Sequence, residues 1–298
     1  MAKKKKSVSL FKKDLTPSSS RSAKAERKGR KHTYTEFDEK GNLVLEIKYN
    51  EEAEVDEKLE ITYDDNGFIK EEKSFFEGNE LSDHASYERD ENGVIRKSFK
   101  HYQDGTTDTI NYRYDTDGNL IEKVTVDSYD EVESKELATY ENGKLILKEI
   151  YEYDELMAKE TYLFDDYGNM IEHHTWSPDD GNRSYKHVYD EKGNLIQSNQ
   201  YNNKEELSGK AVYSYNKIGK VVEAIEETPY GTSKTSITYD ENGNAVEQLE
   251  TNSSGEVNNK VERKYNADND VTEAVVFINF HGRSVDQNYV LNYEYTYF

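Results

Sequence analysis

The sequence predicts an all-β protein of about ten tandem ~25-residue β-hairpin repeats that form one long twisted or spiralling antiparallel sheet. Three observations support this prediction: a turn motif at a fixed period, period-two alternation on both sides of that motif, and an unusual apolar composition. Hydrophobic residues make up 34% of the chain, and 25 tyrosines raise the aromatic share to 12%. Tyrosine favours strands and buries a large ring while keeping a polar tip. The composition therefore favours thin, tyrosine-faced sheets over a thick aliphatic core.

A turn motif, usually Asp-x-x-Gly, recurs every 24–26 residues. Its glycines are Gly41, Gly67, Gly93, Gly118, Gly143, Gly168, Gly193, Gly219 and Gly243. A tenth copy carries Asn269, and Asn is the best non-glycine substitute in a left-handed conformation. Such a turn between alternating segments predicts a β-hairpin, here a type I turn followed by a glycine bulge.

Alternation on each side of the turn predicts which residues share a face. The position four before the glycine is mostly aromatic, as in Tyr63 and Tyr189, and the second position after it is always apolar, as in Ile69 and Leu195. We expect these two positions to be cross-strand neighbours. Residues 289–298 alternate to the last residue, which predicts a strand that caps the repeats.

Charge divides the chain into two predicted parts. The net charge is −22, yet residues 1–32 hold 12 Lys or Arg against only Asp14 and Glu26. We predict a disordered basic arm over residues 1–31 and the repeat domain over 32–298. The arm's candidate partner-binding residues are Lys3, Lys4, Lys5, Lys6, Phe11, Lys12, Lys13, Arg27, Lys28, Arg30 and Lys31. Its charge suits a protein partner or assembly, a nucleic acid including the ribosome, or no specific partner.

Several function classes lack their signals. The chain contains no Cys, so disulfides and thiol chemistry are excluded. No apolar run reaches the ~20 residues of a membrane helix, and no apolar leader precedes Leu15. The sequence therefore predicts a cytoplasmic protein without a membrane span, with export by a specialised secretion system left open. Without a nucleophile elbow or a phosphate-binding loop, we predict no enzyme activity, no cofactor, and no catalytic or metal-binding residue.

The individual candidates for chemistry are incomplete. The turn aspartates supply one carboxylate per turn, whereas a calcium loop needs six to eight oxygens. His173 and His174 are adjacent, so we expect them on opposite faces of a strand, with His174 near His187. Two histidines without a placed carboxylate do not complete a metal site. The tyrosine stripe could stack sugars or nucleobases, but we favour strand packing as its explanation.

The repeated core resembles a known family. The segments 114–120, 189–195 and 239–245 read Tyr-Asp-x-x-Gly-Asn-Leu or close variants, and they resemble the YD-repeat (RHS-repeat) proteins of bacteria. The resemblance covers residues 34–298. It implies long spiralling β-sheets that in some members form a hollow shell around a toxin. It also implies a role as a component or cargo of an RHS-type secretion or packaging system.

Together these observations predict a non-enzymatic structural and interaction scaffold. Its acidic β-repeat surface is expected to bind a protein partner or larger assembly, with the basic arm as an anchor. The alternatives are the secretion or packaging role and association with nucleic acid or the ribosome through the arm. A carbohydrate hydrolase would need a cleft with two paired carboxylates, which the sequence does not reveal.

Overall fold

The structure, a computed structural model, describes residues 3–15, 29–281 and 284–298. These residues form 22 β-strands and one short 3-10 helix, Glu77–Asn79. The described residues contain no helix that is long and apolar enough to cross a membrane.

The strands follow one another along the chain with short connections. The first eleven are Lys5–Asp14 (β1), Arg30–Phe37 (β2), Leu43–Tyr49 (β3), Val55–Tyr63 (β4), Ile69–Phe75 (β5), Leu81–Arg89 (β6), Ile95–His101 (β7), Thr107–Tyr114 (β8), Leu120–Val126 (β9), Val132–Glu141 (β10) and Lys144–Glu152 (β11). The second eleven are Glu155–Phe164 (β12), Met170–Ser177 (β13), Gly181–Tyr189 (β14), Leu195–Tyr201 (β15), Leu207–Tyr215 (β16), Val221–Thr228 (β17), Gly231–Tyr239 (β18), Ala245–Asn252 (β19), Val257–Tyr265 (β20), Val271–Ile278 (β21) and Gln287–Tyr297 (β22).

The sheet closes on itself. Each strand pairs antiparallel with the next one along the chain, and β22 pairs with β1 from Lys5↔Tyr297 to Asp14↔Tyr289. The fold is therefore a closed 22-stranded antiparallel β-barrel. The prediction of one open, twisted or spiralling sheet of about ten hairpin repeats is wrong, and so is a spiralling repeat scaffold. Closure pairs the two edges that an open sheet would leave exposed.

The closing strand comes from the basic segment. The sequence predicts disorder for Lys5–Asp14, but this segment lies between β22 and β2 and pairs with both. Its Val8 and Leu10 alternate as strand residues should, while the surrounding lysines give the segment the composition of a disordered arm. The predicted domain boundary after residue 31 falls inside β2, which belongs to the same sheet. The prediction of disorder is therefore wrong for Lys5–Asp14.

Each hairpin forms around its turn motif. In the first, the Gly41 N–H donates to the Asp38 carbonyl at 2.9 Å, and the Asn42 N–H donates to the Asp38 carboxylate at 2.9 Å. The nine motif glycines all have positive φ, between 74° and 94°, and Asn269 has φ 62°. Gly143 differs from the rest, because Asn142 (φ 51°) and Gly143 alone form a two-residue turn.

Tyrosines link successive hairpins. Tyr63 pairs with Ile69 across its own turn, which confirms the predicted cross-strand pair, and its hydroxyl donates to the Leu43 carbonyl of the preceding hairpin at 2.7 Å. The same contact recurs from Tyr189, Tyr215, Tyr239, Tyr265 and Tyr295 to the carbonyls of Met170, Leu195, Val221, Ala245 and Val271. Arg89 stands at the tyrosine position of its hairpin and donates to the Ile69 carbonyl at 3.4 Å. Neighbouring hairpins are thus joined by a polar contact as well as by the strand ladder.

The face that carries these tyrosines is the inner face. Five of the six described residues with a buried side chain, Ile61, Ser98, Asp108, Ala274 and Val276, lie on it. The sixth, Ser7, contacts Thr296 on the opposite face. The opposite face exposes even large apolar residues, such as Leu163 at 52% and Val188 at 45%. The accessible surface is 19732 Å², about 1.5 times the ~13,000 Å² typical of a compact monomer of this mass. An excess of that size indicates a barrel whose interior is open to solvent.

Candidate functional site at the loop rim

The two ends of the barrel differ. One end, the turn rim, carries the motif turns that follow the even-numbered strands. The other end, the loop rim, carries the connections that follow the odd-numbered strands from β3 to β19, among them 50–54 and 76–80. Strands β1 and β21 also end at this rim. Alternate connections of an antiparallel sheet lie at opposite ends, so this division follows directly from the strand order.

Four adjacent connections at the loop rim present aromatic rings to solvent. Phe76, Tyr102, Tyr129 and Tyr153 lie on the connections 76–80, 102–106, 127–131 and 153–154. The four residues are 59%, 39%, 82% and 71% exposed, respectively. Exposed tyrosines of this kind are enriched at protein interfaces, where a large ring and a polar tip can both be used. We call these four residues the aromatic arc.

The arc lies among carboxylates. Its four connections contain no Lys or Arg, and their acidic residues are Glu77, Glu80, Asp104, Asp127, Asp130, Glu131 and Asp154. Asp127 caps its own turn by accepting the N–H groups of Tyr129 and Glu131, both at 2.8 Å. Among the described residues, none of these seven carboxylates forms an ion pair. The arc therefore combines exposed rings with uncompensated negative charge.

The arc residues are held in different ways. The Tyr102 hydroxyl donates to the Asp108 carboxylate, and this bond together with partial burial raises the pKa of Tyr102 to about 12. Tyr153 has φ 47° in a two-residue turn with Asp154, whose φ is 65°. Among the described residues, Tyr153 is the only aromatic residue other than His281 with positive φ. A bulky residue rarely adopts this conformation, so the ring of Tyr153 is presented at a cost in backbone strain.

Sequence reasoning missed the arc, although a signal was present. The four aromatic residues recur at steps of 26, 27 and 24, in phase with the turn motif. They stand in connections whose Gly, Asn and Glu content indicates only exposed loops. An in-phase aromatic residue in such a connection is unexpected, because turn formation there favours small and polar residues.

The predicted basic residues are largely engaged within the barrel. The ammonium groups of Lys3, Lys5, Lys6 and Lys12 lie 4.1–5.8 Å from the ring centroids of Tyr297, Tyr295, Phe298 and Tyr289. Lys5 also pairs with Asp270 at 2.5 Å. Cation–π contacts and this ion pair therefore tie β1 to the far end of the chain.

The other described residues of the predicted arm contact neighbouring strands and turns. Lys4 donates to the Glu39 carbonyl at 2.9 Å, Lys31 lies over the rings of Tyr34 and Tyr49, and Arg30 donates to the Asn50 carbonyl. Phe11 and Lys13 are β1 residues opposite Asn292 and Val290 of β22. Arg27 and Lys28 lie outside the described residues.

The densest cluster of titratable groups lies on the inner face instead. Glu136 pairs with Lys123 and Lys148, both at 2.8 Å, and Lys148 lies opposite Glu160 on the next strand. The His173 Nε2 lies 3.0 Å from a Glu160 carboxylate oxygen, and the His173 ring is stacked on that of Tyr162, with centroids 4.6 Å apart. Burial opposes ionisation of Glu160, but hydrogen bonds from Tyr162 and His173 outweigh it and lower the pKa of Glu160.

This inner cluster is an internally paired network. His173 and His174 do face opposite sides of β13, since His174 contacts Glu172 at 3.6 Å on the outer face. His187 lies on the inner face with His173, so the expected proximity of His174 to His187 is wrong. Among the described residues, no group of three or more His, Asp or Glu side chains is placed to hold a metal ion.

Comparisons with known proteins give limited matches. A family model described as "Uncharacterised protein" matches residues 141–256. A comparison with the curated proteins gives no match. None of the matches tests the resemblance of the turn motif to YD-repeat proteins, which stays a prediction.

Three solved structures illustrate the structural matches. The crystal structure of TcdB2-TccC3 is 14% identical, with a TM-score of 0.43. The match covers 88% of this chain and 16% of that chain, so this chain spans only a small part of that protein. A porin-like protein from Bacteroides uniformis is 12% identical, with a TM-score of 0.37, over 67% of this chain and 95% of that chain. A porin-like protein from Bacteroides vulgatus is 12% identical, with a TM-score of 0.24, over 99% of both chains.

Proposed function

We propose that the protein is a non-enzymatic interaction platform that binds a protein partner at its loop rim. The observation that carries the proposal is the aromatic arc: four exposed rings on four adjacent connections. Interface energy is concentrated in a few residues, and Tyr is prominent among them. The closed barrel supports the arc, because a continuous strand ladder holds the four connections at fixed spacing.

We propose a structural role for the basic segment in place of the anchoring role predicted for it. Lys5–Asp14 supplies the strand that closes the barrel, and its lysines contact the rings of β22. We assign the partner to the acidic loop rim instead. The inner cluster around Glu160 is a less suitable binding site, because its carboxylates are already paired with Lys, Tyr and His side chains.

Site-specific photo-cross-linking tests this proposal. A photoreactive phenylalanine analogue would replace Tyr129 at the loop rim or Tyr167 at the turn rim, in the full chain within the source cells. Tyr167 is the matched control, since it is 93% exposed and follows two aspartates. We expect a discrete protein adduct at position 129 that is absent at position 167. The purified partner should bind the wild type and lose affinity for Tyr129→Ser. Equal adducts at both positions, or none, would contradict the proposal.

A further inference from the structure

The arc has a regular spacing. Neighbouring strands of a sheet lie about 4.8 Å apart, so adjacent connections at one rim, which are two strands apart, lie about 10 Å apart. A chain in the extended polyproline II conformation rises about 3.1 Å per residue with three residues per turn, so side chains three residues apart share a face and lie about 9 Å apart. A partner segment that runs along the rim in this conformation would thus present every third side chain to successive connections.

The protein itself shows which side chains its rings accept. Lys or Arg side chains lie over Tyr or Phe rings throughout the barrel, for example Lys58 over Phe75 at 4.1 Å and Lys144 over Phe164 at 5.0 Å. Within the arc, Lys100 lies 5.1 Å from the centroid of the Tyr102 ring. No Lys or Arg of the described residues lies over Phe76, Tyr129 or Tyr153. Three of the four arc rings therefore have no cation over them among the described residues, and each leaves an exposed face.

Charge favours the same kind of partner. The seven carboxylates lie on the same four connections as the rings and form no ion pair among the described residues. A cation over an aromatic ring is attracted by the ring quadrupole, and neighbouring carboxylates add Coulomb attraction. A neutral apolar segment would gain nothing from these carboxylates.

We propose that the aromatic arc binds an extended, lysine- or arginine-rich segment of a partner protein, with basic residues at every third position. The cations lie over Tyr129 and Tyr153, and the carboxylates of the arc pair with them from the side. This inference rests on the proposed function, since it names the chemistry of the partner at the same rim.

Peptide binding to the full chain tests the inference. The probe is a fluorescent twelve-residue peptide with lysine at every third position, separated by Ser and Thr. The comparison peptide has the same composition with its lysines contiguous. Affinities would be measured by fluorescence anisotropy at about 50 mM and about 300 mM salt, since surface charge is screened at the higher value. We expect the spaced peptide to bind more tightly than the contiguous one, and its affinity to fall with salt.

Variants of the chain locate the site. The double variant Tyr129→Ser, Tyr153→Asn should weaken binding of the spaced peptide roughly tenfold, the combined worth of two exposed cation–π contacts. Tyr167→Ser at the turn rim and Tyr230→Ser at the loop rim remove equally exposed rings away from the arc, and both should leave the affinity unchanged. Circular dichroism would show that every variant is folded.

The outcomes separate the inference from the proposed function. Equal affinity for the two peptides, or equal losses from Tyr129→Ser, Tyr153→Asn and Tyr167→Ser, would overturn the inference. An unchanged affinity in the double variant would also overturn it, and would point to attraction by charge alone. If neither peptide binds while position 129 still cross-links a protein, the rim binds a partner of other chemistry. The proposed function then stands and the inference fails.

Discussion

Strand β11 lies between two two-residue turns. Both turns use left-handed backbone conformations, but their residue types differ in how well they suit that conformation. At the turn rim the strand follows Asn142-Gly143, and at the loop rim it precedes Tyr153-Asp154. All four residues have positive φ. Asn-Gly is the favoured pair for such a two-residue turn, whereas Tyr is among the less suitable residues. The turn rim thus carries residues that suit folding, and the loop rim carries a ring that folding does not require.

The same contrast extends around the barrel. Nine of the ten turns at the turn rim share one solution, in which an Asp or Asn side chain accepts the N–H groups two and four residues on, as Asp190 does at 2.9 Å in both cases. The loop rim uses connections of several lengths and kinds, among them the aromatic arc. Uniformity at one rim reflects a shared folding requirement, and variation at the other leaves room for recognition.

The largest expected effect comes from removing the strand on which both rims depend. Deletion of residues 2–14 removes β1 and leaves β2 and β22 as unpaired edges. We expect a fall in Tm of more than about 10 °C and self-association, measured by thermal unfolding and by light scattering after gel filtration. Lys3→Ser, a change outside β1, is the control. A monomeric deletion variant with unchanged Tm would show that closure by β1 is not required.

The next effect tests the turn-rim half of the comparison. Gly143→Val should cost about 1–3 kcal/mol of unfolding free energy, because Val cannot readily adopt φ 74°. Beyond the adjoining residues of the chain, no heavy atom lies within 4 Å of the point that a Cβ at this position would occupy. The loss therefore reflects backbone strain rather than a clash. Urea unfolding measures it, with Gly143→Asn as a milder control. Unchanged stability would mean that the left-handed conformation is not needed there.

A smaller change, this time an increase in the free energy of unfolding, tests the loop-rim side of the comparison. Tyr153→Asn should raise the free energy of unfolding by about 0.5–1 kcal/mol, because Asn tolerates φ 47° better than Tyr. Tyr153→Phe keeps both the ring and the strain, so its stability should match that of the wild type. Urea unfolding of the three proteins makes the comparison. A loss of stability in Tyr153→Asn would show that the ring supports the fold, which would weaken its assignment to recognition.

The smallest effect depends on pH and separates Asp from Asn turns. Hydrogen bonds from the Asn194 side chain and backbone lower the pKa of Asp190. A carboxyl with a lower pKa in the folded state stabilises the fold above its unfolded pKa of about 3.9 and loses that contribution as the pH falls through the folded value. The Asn202 turn at the loop rim makes the same contacts with an amide that does not titrate.

Asp190→Asn converts one kind of turn into the other. We expect its urea midpoint to equal that of the wild type at pH 7 and to exceed it progressively as the pH falls below about 3.9 and through the lowered folded-state pKa of Asp190. Asn202→Asp is the reverse change and should make its turn more sensitive to acid. Identical pH profiles for the wild type and Asp190→Asn would exclude a contribution of this carboxylate to acid stability.

Local features were predictable from the sequence because they depend on residues close together in the chain. The turn at Gly67 and the pairing of Tyr63 with Ile69 follow from turn chemistry and alternation within one hairpin. The arc residues were visible as in-phase aromatics, but their position side by side at one rim requires the strand order. The chemistry of the partner is harder still to predict from the sequence, because it depends on which rings and carboxylates the fold brings together.

Closure was decided only by the tertiary structure. Val8 pairs with Tyr295, so the contact that completes the barrel joins opposite ends of the chain. A hairpin leaves a local pattern, whereas a pairing of such range depends on the number, tilt and stagger of all the intervening strands. The lysines of β1 hid its strand character, because the rings and the Asp270 carboxylate that receive them lie at the far end of the chain. The sequence by itself determined the repeating hairpins, and the accumulated geometry of 22 strands determined that they form a closed barrel.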